Sequence, residues 1–418
     1  MEKRIFVIGI LVFGLMFGFT SCFELKRNNP YDPSSPDYKG DPVAKASVDK
    51  GSVFVGETIT FIGKCTNPDS KIILYEWDFN GDGIWDWSSK ETGTTTGSYN
   101  QTGEYNAILR ITNFYHEKAL SQCSVFVVPY EVGSCNTPGG AHGVYVSGNY
   151  AYVADSGSGL RIIDISNPSA PAEVGYYDTP GDSRAVYVSG IYAYVADDGS
   201  GLRIIDISNP SAPIEKGFYD TPGKAYGVYV SGIYAYVADW GSGLRIINIS
   251  NPSVPTEIGF YDTLGYSLSV YVSGIYAYVA DWDTGLGIIN ISNPSAPTEV
   301  GYCDTPGAAH GVYLSESYAY VADEGSGLRI IDVSNPSTPT EVGYYGPAAY
   351  AIGVYVSGIY AYVADYGAGL RIIDVSTPSA PAEVAFYDTP GLAHSVFILG
   401  NYAYVADAGS GLRIIRVK

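Results

Sequence analysis

Seven aspartates and six arginines recur at fixed spacing in the second part of the chain, and such groups could form an acid–base array. The aspartates end seven copies of Tyr-Val-Ala-Asp that begin 42 residues apart, and an arginine follows six residues later in six copies. Groups present in nearly every copy most simply serve the structure, so we interpret them as ion pairs that hold a short turn. The aspartates are Asp155, Asp197, Asp239, Asp281, Asp323, Asp365 and Asp407, and the arginines are Arg161, Arg203, Arg245, Arg329, Arg371 and Arg413.

Two positions vary between copies, one directly after the repeated aspartate and one just before the next strand-forming run. The fourth copy departs furthest, with Asp283, Thr284 and Gly287 in place of the common Gly, Ser and Arg. Exposed Trp and Tyr offer flat apolar faces with polar edges, which suit sugar rings or peptide side chains. Neutral drift of exposed loops is the alternative explanation. The candidate ligand-binding residues are Trp240, Trp282, Tyr226, Tyr266, Asp283, Tyr366 and Arg184.

Three histidines, His142, His310 and His394, share one repeat position. Imidazoles can bind a metal, but these three belong to the first, fifth and seventh copies, so strict three-ligand geometry is not expected. The sequence contains no nucleophile elbow, metalloprotease helix motif or Gly-rich phosphate loop. A pair of carboxylates at glycosidase spacing stays open among so many aspartates.

A shorter acidic segment lies nearer the N-terminus. Asp78, Asn80 and Asp82 alternate before a glycine and are followed by Asp86, with Ser89 at the twelfth position. Alternate oxygen side chains around a glycine turn suit a hard cation, although a calcium loop would carry Glu at that twelfth position. The pattern predicts a calcium site, and calcium is the one candidate cofactor. The alternative is that these residues only shape a turn.

The 42-residue period determines how these groups are positioned. Each unit holds four strand-sized runs separated by Ser-Gly, Ser-Gly-Ser, Asn-Pro-Ser and Asp-Thr-Pro-Gly turns, as in residues 143–180. Such units are typical of propeller blades. The unit resembles the LVIVD repeat of bacterial surface proteins over about 288 residues. The resemblance implies the fold but no particular activity.

The two ends of the array predict a closed ring. The seventh unit stops at Lys418 after its third strand, whereas 130–138 match a fourth strand and precede the first unit. The N-terminal strand should therefore complete blade seven, because closure removes both sheet edges. This register places Cys135 and Cys303 on blades seven and four, too far apart for a disulfide.

Residues 41–129 alternate in the manner of strands, and their segment Tyr75-Glu-Trp-Asp-Phe-Asn-Gly-Asp-Gly83 resembles the core motif of a PKD (polycystic kidney disease) domain. That resemblance implies an Ig-like β-sandwich that serves as a spacer or adhesion module. Cys65 and Cys123 both fall on the inward register, and a disulfide between them is predicted. The fold class is thus all-β: a sandwich at 41–129, then a seven-bladed β-propeller at 130–418.

The N-terminus has the pattern of a bacterial lipoprotein signal. Lys3 and Arg4 precede an apolar run at 5–19, and Thr20-Ser21-Cys22 resembles a lipobox, with Phe19 at the usual Leu position. We expect a signal peptide at 1–21, a lipidated Cys22 and a polar tether to residue 40. An ordinary signal peptide or an N-terminal membrane anchor is the alternative.

The net charge of −20 argues against nucleic acid as a partner. Together these features predict a lipid-anchored protein of the bacterial envelope, in the outer membrane or at the cell surface. Its propeller would bind a carbohydrate or protein ligand without catalysing a reaction. Two other functions stay open: an enzyme acting on polysaccharides or glycoproteins, and a scaffold subunit of an envelope complex.

Overall fold

A computed structural model describes residues 40–67, 69–346 and 350–418. The predicted signal peptide, lipidated Cys22 and tether up to residue 39 lie outside the described residues. Where the structure is described, no helix has the length and apolar character needed to cross a membrane.

The first domain is a two-layered sandwich. One sheet has the order β1-β3-β6 and the other the order β2-β8-β7-β4-β5, and both pack around the fully buried Trp77, whose indole nitrogen donates to the carbonyl of Gly93 at 2.8 Å. The strands are β1 (Ala44–Val48), β2 (Ser52–Phe54), β3 (Ile59–Cys65), β4 (Ile72–Asp78), β5 (Trp87–Ser89), β6 (Gly93–Gly97), β7 (Gly103–Asn113) and β8 (Lys118–Val128).

The predicted disulfide between Cys65 and Cys123 is wrong, since both are free thiols. Cys65 ends β3 and Cys123 lies in β8 of the other sheet, and strand β1 lies between them. Ala44 of β1 pairs with Cys65, while the amide of Ala46 in β1 donates to the Ser121 hydroxyl of β8 at 3.0 Å. Inward register places both thiols against the core but does not bring them within bonding range.

The second domain is a ring of seven four-stranded antiparallel sheets, the blades. The first strands are β10 (Gly143–Ser147), β14 (Ala185–Ser189), β18 (Gly227–Ser231), β22 (Ser269–Ser273), β26 (Gly311–Ser315), β30 (Gly353–Ser357) and β34 (Ser395–Leu399). The second strands are β11 (Tyr150–Ala154), β15 (Tyr192–Ala196), β19 (Tyr234–Ala238), β23 (Tyr276–Ala280), β27 (Tyr318–Ala322), β31 (Tyr360–Ala364) and β35 (Tyr402–Ala406).

The outer half of each blade is built from the remaining strands. The third strands are β12 (Leu160–Asp164), β16 (Leu202–Asp206), β20 (Leu244–Asn248), β24 (Leu286–Asn290), β28 (Leu328–Asp332), β32 (Leu370–Asp374) and β36 (Leu412–Arg416). The fourth strands are β13 (Ala172–Tyr177), β17 (Ile214–Tyr219), β21 (Thr256–Tyr261), β25 (Thr298–Cys303), β29 (Thr340–Tyr345), β33 (Ala382–Tyr387) and, for blade seven, β9 (Tyr130–Cys135).

Closure of the ring by the N-terminal strand is confirmed. Blade seven has the order β34-β35-β36-β9, and Leu412 pairs with Cys135 as Leu160 pairs with Tyr177 in blade one. The middle strands are apolar and buried on both registers because each blade is covered by a neighbour on both faces.

The two variable positions share one face of the ring. The residue after the repeated aspartate forms an isolated antiparallel bridge with the connection into the next blade, for example Trp240 with Ser267 and Trp282 with Ala309. We call the side formed by these loops the variable face. The sandwich packs at the opposite side, where the Tyr360 hydroxyl donates to Gln101 at 3.3 Å.

Gly133 of β9 is expected to be essential to closure. A Cβ atom there would lie 2.3 Å from the carbonyl oxygen of Pro168, in the Asn-Pro-Ser turn of blade one. We expect Gly133→Ala to lower the free energy of unfolding by about 1–3 kcal/mol, measured by urea titration.

The matched control is Ala385→Gly at the equivalent position of blade six. Its neighbour, blade seven, uses β9 as its fourth strand and therefore has no Asn-Pro-Ser turn against this position. It should change stability by less than about 1 kcal/mol. Equal effects of the two changes would contradict this account of closure.

Candidate functional site

A buried carboxylate in each blade holds the variable face together. In blade three the Thr221 hydroxyl donates to Asp239 Oδ1 at 2.5 Å and the Gly223 amide donates to Asp239 Oδ2 at 2.8 Å. Both donors belong to the connection that enters the blade, so Asp239 joins this connection to the end of its second strand. We call this arrangement the aspartate clamp.

The predicted aspartate–arginine pairs are present in five of the six blades that carry the arginine, although most of these contacts are long. Arg245 Nε lies 3.8 Å from Asp239, whereas its Nη2 lies 3.1 Å from Asp262 in the turn after the fourth strand. The guanidinium also stacks on Phe260 at 4.5 Å. The arginine therefore bridges outer parts of the blade, and the aspartate uses a hydroxyl and an amide as its closest partners. Arg371, 2.5 Å from Asp365, is the exception.

The residue after each clamp aspartate adopts a left-handed backbone. The φ angle is 50° at Trp240, 41° at Trp282 and 35° at Tyr366. This region favours glycine and costs other residues on the order of 1–2 kcal/mol, yet none of the seven blades carries glycine here. Bulky aromatic residues at such a position are a reason to look for function.

Four of the predicted binding residues form one continuous stack on blades two to four. Trp240 lies between Tyr226 and Tyr266, with ring centroids 4.9 Å and 4.5 Å away and interplanar angles of 30° and 25°. The Arg184 guanidinium covers the far side of Tyr226 at 5.2 Å. Trp282 meets Trp240 at 6.0 Å and 59°. We call the four stacked residues, together with Trp282, the aromatic column.

The column borders a cavity of about 440 Å³ at the mouth of the central channel. Arg184 and three histidines occupy much of the remaining rim, together with the apolar Leu268 and Ile352. Arg184 is held by Asp198 at 3.0 Å, and His310 Nε2 lies 2.6 Å from Glu324 Oε1. The cavity therefore offers aromatic contact on one side and hydrogen bonding on the other, as small-ligand sites commonly do.

Two histidines of the rim lie in direct contact. His142 and His394 belong to neighbouring blades, and their ring centroids are 4.3 Å apart. Burial, together with nearby Arg184, lowers the pKa of each to about 4. Burial also lowers the pKa of His310, against the opposing effect of Glu324. Within the described ranges, no three His, Cys, Asp or Glu side chains are grouped so as to hold a metal ion.

A closed ring of aromatic side chains lies two residues deeper along the first strands. Neighbouring centroids are 4.6–5.1 Å apart around the whole circle. These residues follow the cavity-lining residues along the first strands and so lie deeper in the central channel. Sequence reasoning missed them, although their 42-residue period was visible. They are Tyr145, Tyr187, Tyr229, Tyr271, Tyr313, Tyr355 and Phe397.

The structure separates the remaining predicted residues. Tyr366 packs against His394 at 5.4 Å and so extends the rim at blade six. Asp283 is not part of the mouth, because it lines a second cavity farther out on blade four. The predicted site is therefore one cluster with Tyr366 beside it, and Asp283 belongs elsewhere.

The predicted calcium ligands are Asp78, Asn80, Asp82 and Asp86. Their carboxylates accept hydrogen bonds from the loop's own backbone. Asp78 accepts from the amides of Gly81 and Gly83 at 2.7 and 2.8 Å, and Asp82 and Asp86 each accept from a backbone amide at 2.7 Å. These contacts are those of the turn-shaping alternative. Calcium binding at this loop stays a prediction.

Seven four-stranded sheets in a closed ring define a β-propeller, here with a binding or scaffold role. The LVIVD repeat model matches most of the chain, and the chain belongs to this family. The PKD domain model matches 44–126. No curated protein matches the chain. The repeats cover 138–179, 180–221, 222–263, 264–305, 306–346, 348–389 and 390–417.

Three solved structures share the fold at low sequence identity. The β-propeller domain of Myceliophteria thermophila Cps50 (Swd1) is 13% identical with a TM-score of 0.58, and the match covers 69% of this chain and 100% of that one. A catalytically inactive virginiamycin B lyase from Staphylococcus aureus with quinupristin is 14% identical, with a TM-score of 0.55 and coverage of 68% and 99%. The computationally designed Ika8 protein is 7% identical, with a TM-score of 0.54 and coverage of 69% and 100%.

The paired histidines predict a specific pH dependence of stability. The folded state lowers the pKa of each imidazole from about 6.5 to about 4, so it disfavours the protonated form. Each neutral imidazole therefore contributes full stability above about pH 6.5, and this contribution is lost as the pH falls through about 4. The loss is up to about 3 kcal/mol per group. The check is to measure the free energy of unfolding between about pH 7 and about pH 4 for wild type and for the double variant His142→Gln, His394→Gln.

The double variant should lose less stability on acidification than wild type, because it lacks the two imidazoles whose protonation the folded state disfavours. The carboxylates titrate in both proteins and do not contribute to the difference. Identical pH profiles would show that the pair does not titrate as described.

Proposed function

We propose that this protein is an envelope-anchored binding protein whose variable face captures a carbohydrate or protein ligand without catalysing a reaction. The observation that carries the proposal is the aromatic column beside the channel-mouth cavity. Three aromatic rings and a guanidinium lie in one stack, and such rigid aromatic groups provide large contact area at low entropic cost.

The column is pre-organised but not closed to ligands. Both faces of Trp240 are covered, so its ring edge and the outer face of Tyr266 are the surfaces that a ligand can meet. Tyr266 is 42% exposed. Because the bridge between Trp240 and Ser267 fixes both loops, little ordering is needed on binding.

The position of the sandwich supports the same proposal. It contacts the propeller near β9 and β31, where Phe54 packs on Tyr130 at 5.1 Å and Gln101 meets Tyr360. Both contacts lie on the side opposite the variable face. An N-terminal anchor and tether would then place the variable face away from the membrane.

A second candidate is an enzyme, and one observation favours it. The imidazole of His310 is held by Glu324 at 2.6 Å beside the cavity, as a general base is held by an orienting carboxylate. The proposed binding role requires no such pair. If His310→Gln abolished turnover of a polysaccharide or glycoprotein that wild type degrades, the enzymatic function would replace the binding function.

The binding proposal is tested with Trp240→Ala, Trp282→Ala. We expect the chain from Phe23 onward to bind a component of an array of envelope polysaccharides and extracellular-matrix proteins. The double variant should lose at least about 2 kcal/mol of that binding free energy, or roughly thirtyfold in affinity.

The control is Tyr176→Ala, an exposed aromatic of comparable size on the outer strand of blade one, which should bind like wild type. A folded Trp double variant with unchanged affinity would place the site elsewhere. Recovery of stable membrane-protein complexes without any array ligand would favour the scaffold role.

The anchor is tested separately at Cys22. We expect full-length protein to partition with membranes and the detergent phase, and Cys22→Ala to appear in the aqueous fraction, since one residue carries the lipid. Cys135→Ala, which alters a propeller cysteine, is the matched control. Membrane partition of Cys22→Ala like that of wild type would favour an uncleaved N-terminal anchor.

A further inference from the structure

Blade four lacks the arginine that each of the other six blades carries at one repeat position. In blade three the Arg245 guanidinium lies 3.1 Å from Asp262, 3.8 Å from Glu257 and 3.8 Å from Asp239, and it stacks on Phe260. Blade one repeats this setting around Arg161, and blade five largely repeats it around Arg329, which lies 3.6 Å from its clamp aspartate and 3.4 Å from Glu341.

The fourth blade keeps the setting but has glycine at the arginine position. Gly287 pairs across the strands with Tyr302, as Arg161 pairs with Tyr176. The side chains that would surround an arginine are all present: Asp281, Glu299, Asp304 and Tyr302.

The missing side chain leaves a cavity of about 240 Å³, lined by these same residues. A Cβ built on Gly287 meets only the Val279 carbonyl oxygen, at 4.0 Å, so the space reaches the strand itself. Tyr302 is 65% exposed, against 50% for the arginine-covered Phe260 of blade three. The cavity therefore has an aromatic wall that no cation of the described residues covers.

The charge of the cavity is also left unbalanced. The Thr284 hydroxyl donates to Asp281 at 2.6 Å and the Tyr261 hydroxyl donates to Glu299 at 2.7 Å, and both donors are neutral. Among the described residues, Asp281, Glu299 and Asp304 form no ion pair. Asp281, Glu299 and Asp304 line the cavity, and the donors that reach Asp281 and Glu299 carry no positive charge.

We propose that this cavity binds a guanidinium group presented by another molecule, namely an arginine side chain of a protein partner. The identity of the ligand follows from blades one to three, which hold that same group on the equivalent acids and ring. A planar guanidinium donates to several carboxylates at once and stacks on an aromatic face, whereas a lysine ammonium does neither as well.

The surroundings of the cavity favour a protein as the source of this group. Leu264, at its rim, is 91% exposed, and Tyr266 of the aromatic column lies two residues further along the same connection. An apolar residue beside a charged pocket suits an arginine within a peptide segment. The site goes beyond the proposed function, because it is separate from the channel mouth and has its own chemistry.

The experiment titrates the chain from Phe23 onward with N-acetyl-arginine amide at low salt, followed by calorimetry or NMR. We expect saturable binding, at least roughly tenfold weaker binding of the neutral N-acetyl-citrulline amide, and weakening by added salt. N-acetyl-lysine amide should also bind more weakly. Absence of binding to folded wild type would overturn the proposal.

Two variants locate the site. Gly287→Arg should fill the cavity with the chain's own guanidinium, abolish binding and leave thermal stability equal or higher. Arg245→Gly should create the same cavity in blade three and raise the stoichiometry from one site to two. If Arg245→Gly is too unstable to titrate, rescue of its melting temperature by the arginine probe, but not by the citrulline probe, is the supporting readout.

Binding that survives in Gly287→Arg would assign the arginine to another surface and contradict the proposal. Failure at this cavity does not affect the channel mouth, because Trp240→Ala, Trp282→Ala leaves all the cavity's acids in place and should bind the arginine probe like wild type.

Discussion

The buried aspartate at the end of each second strand is the interaction on which the rest of the propeller depends. Burial raises the pKa of Asp155, Asp197 and Asp239, and hydrogen bonds from a threonine hydroxyl and a glycine amide oppose that effect. A buried carboxylate left without partners would be strongly destabilising. The chain therefore must bring the connection of each blade onto the end of its second strand, and the variable face is built from the segments fixed in this way.

This division of roles explains where the sequence is free to change. The arginine lies 3.6 Å or more from the clamp in most blades and mainly joins outer elements, so blade four can lose it while keeping the clamp of Asp281 intact. The residue after the aspartate needs only its backbone for the bridge to the next connection, which leaves its side chain available for binding. The aromatic column and the open cavity of blade four are thus both products of one repeated frame.

Much of this architecture could be predicted from the sequence, because a 42-residue period reports contacts that every blade repeats. The same reasoning located the two variable positions and the residues of the aromatic column. It could not predict that Trp240 lies between two tyrosines, since this depends on side-chain packing across two blades. It did not predict that most arginines lie closer to other acids of the outer blade than to the clamp aspartate, and it wrongly paired Cys65 with Cys123, because neither partner choice is set by spacing along the chain. The pairing of His142 with His394 follows only once the ring is closed.

The most direct test of the clamp's central role is hydrogen exchange in Asp239→Ala, measured blade by blade. The account predicts faster exchange at the Gly223 amide and across the Trp240 loop, since both segments lose their common anchor, with exchange in distant blades unchanged. Protection at Gly223 equal to that of wild type would show that the connection is held by other contacts, and would contradict the claim that the buried carboxylate organises the variable face.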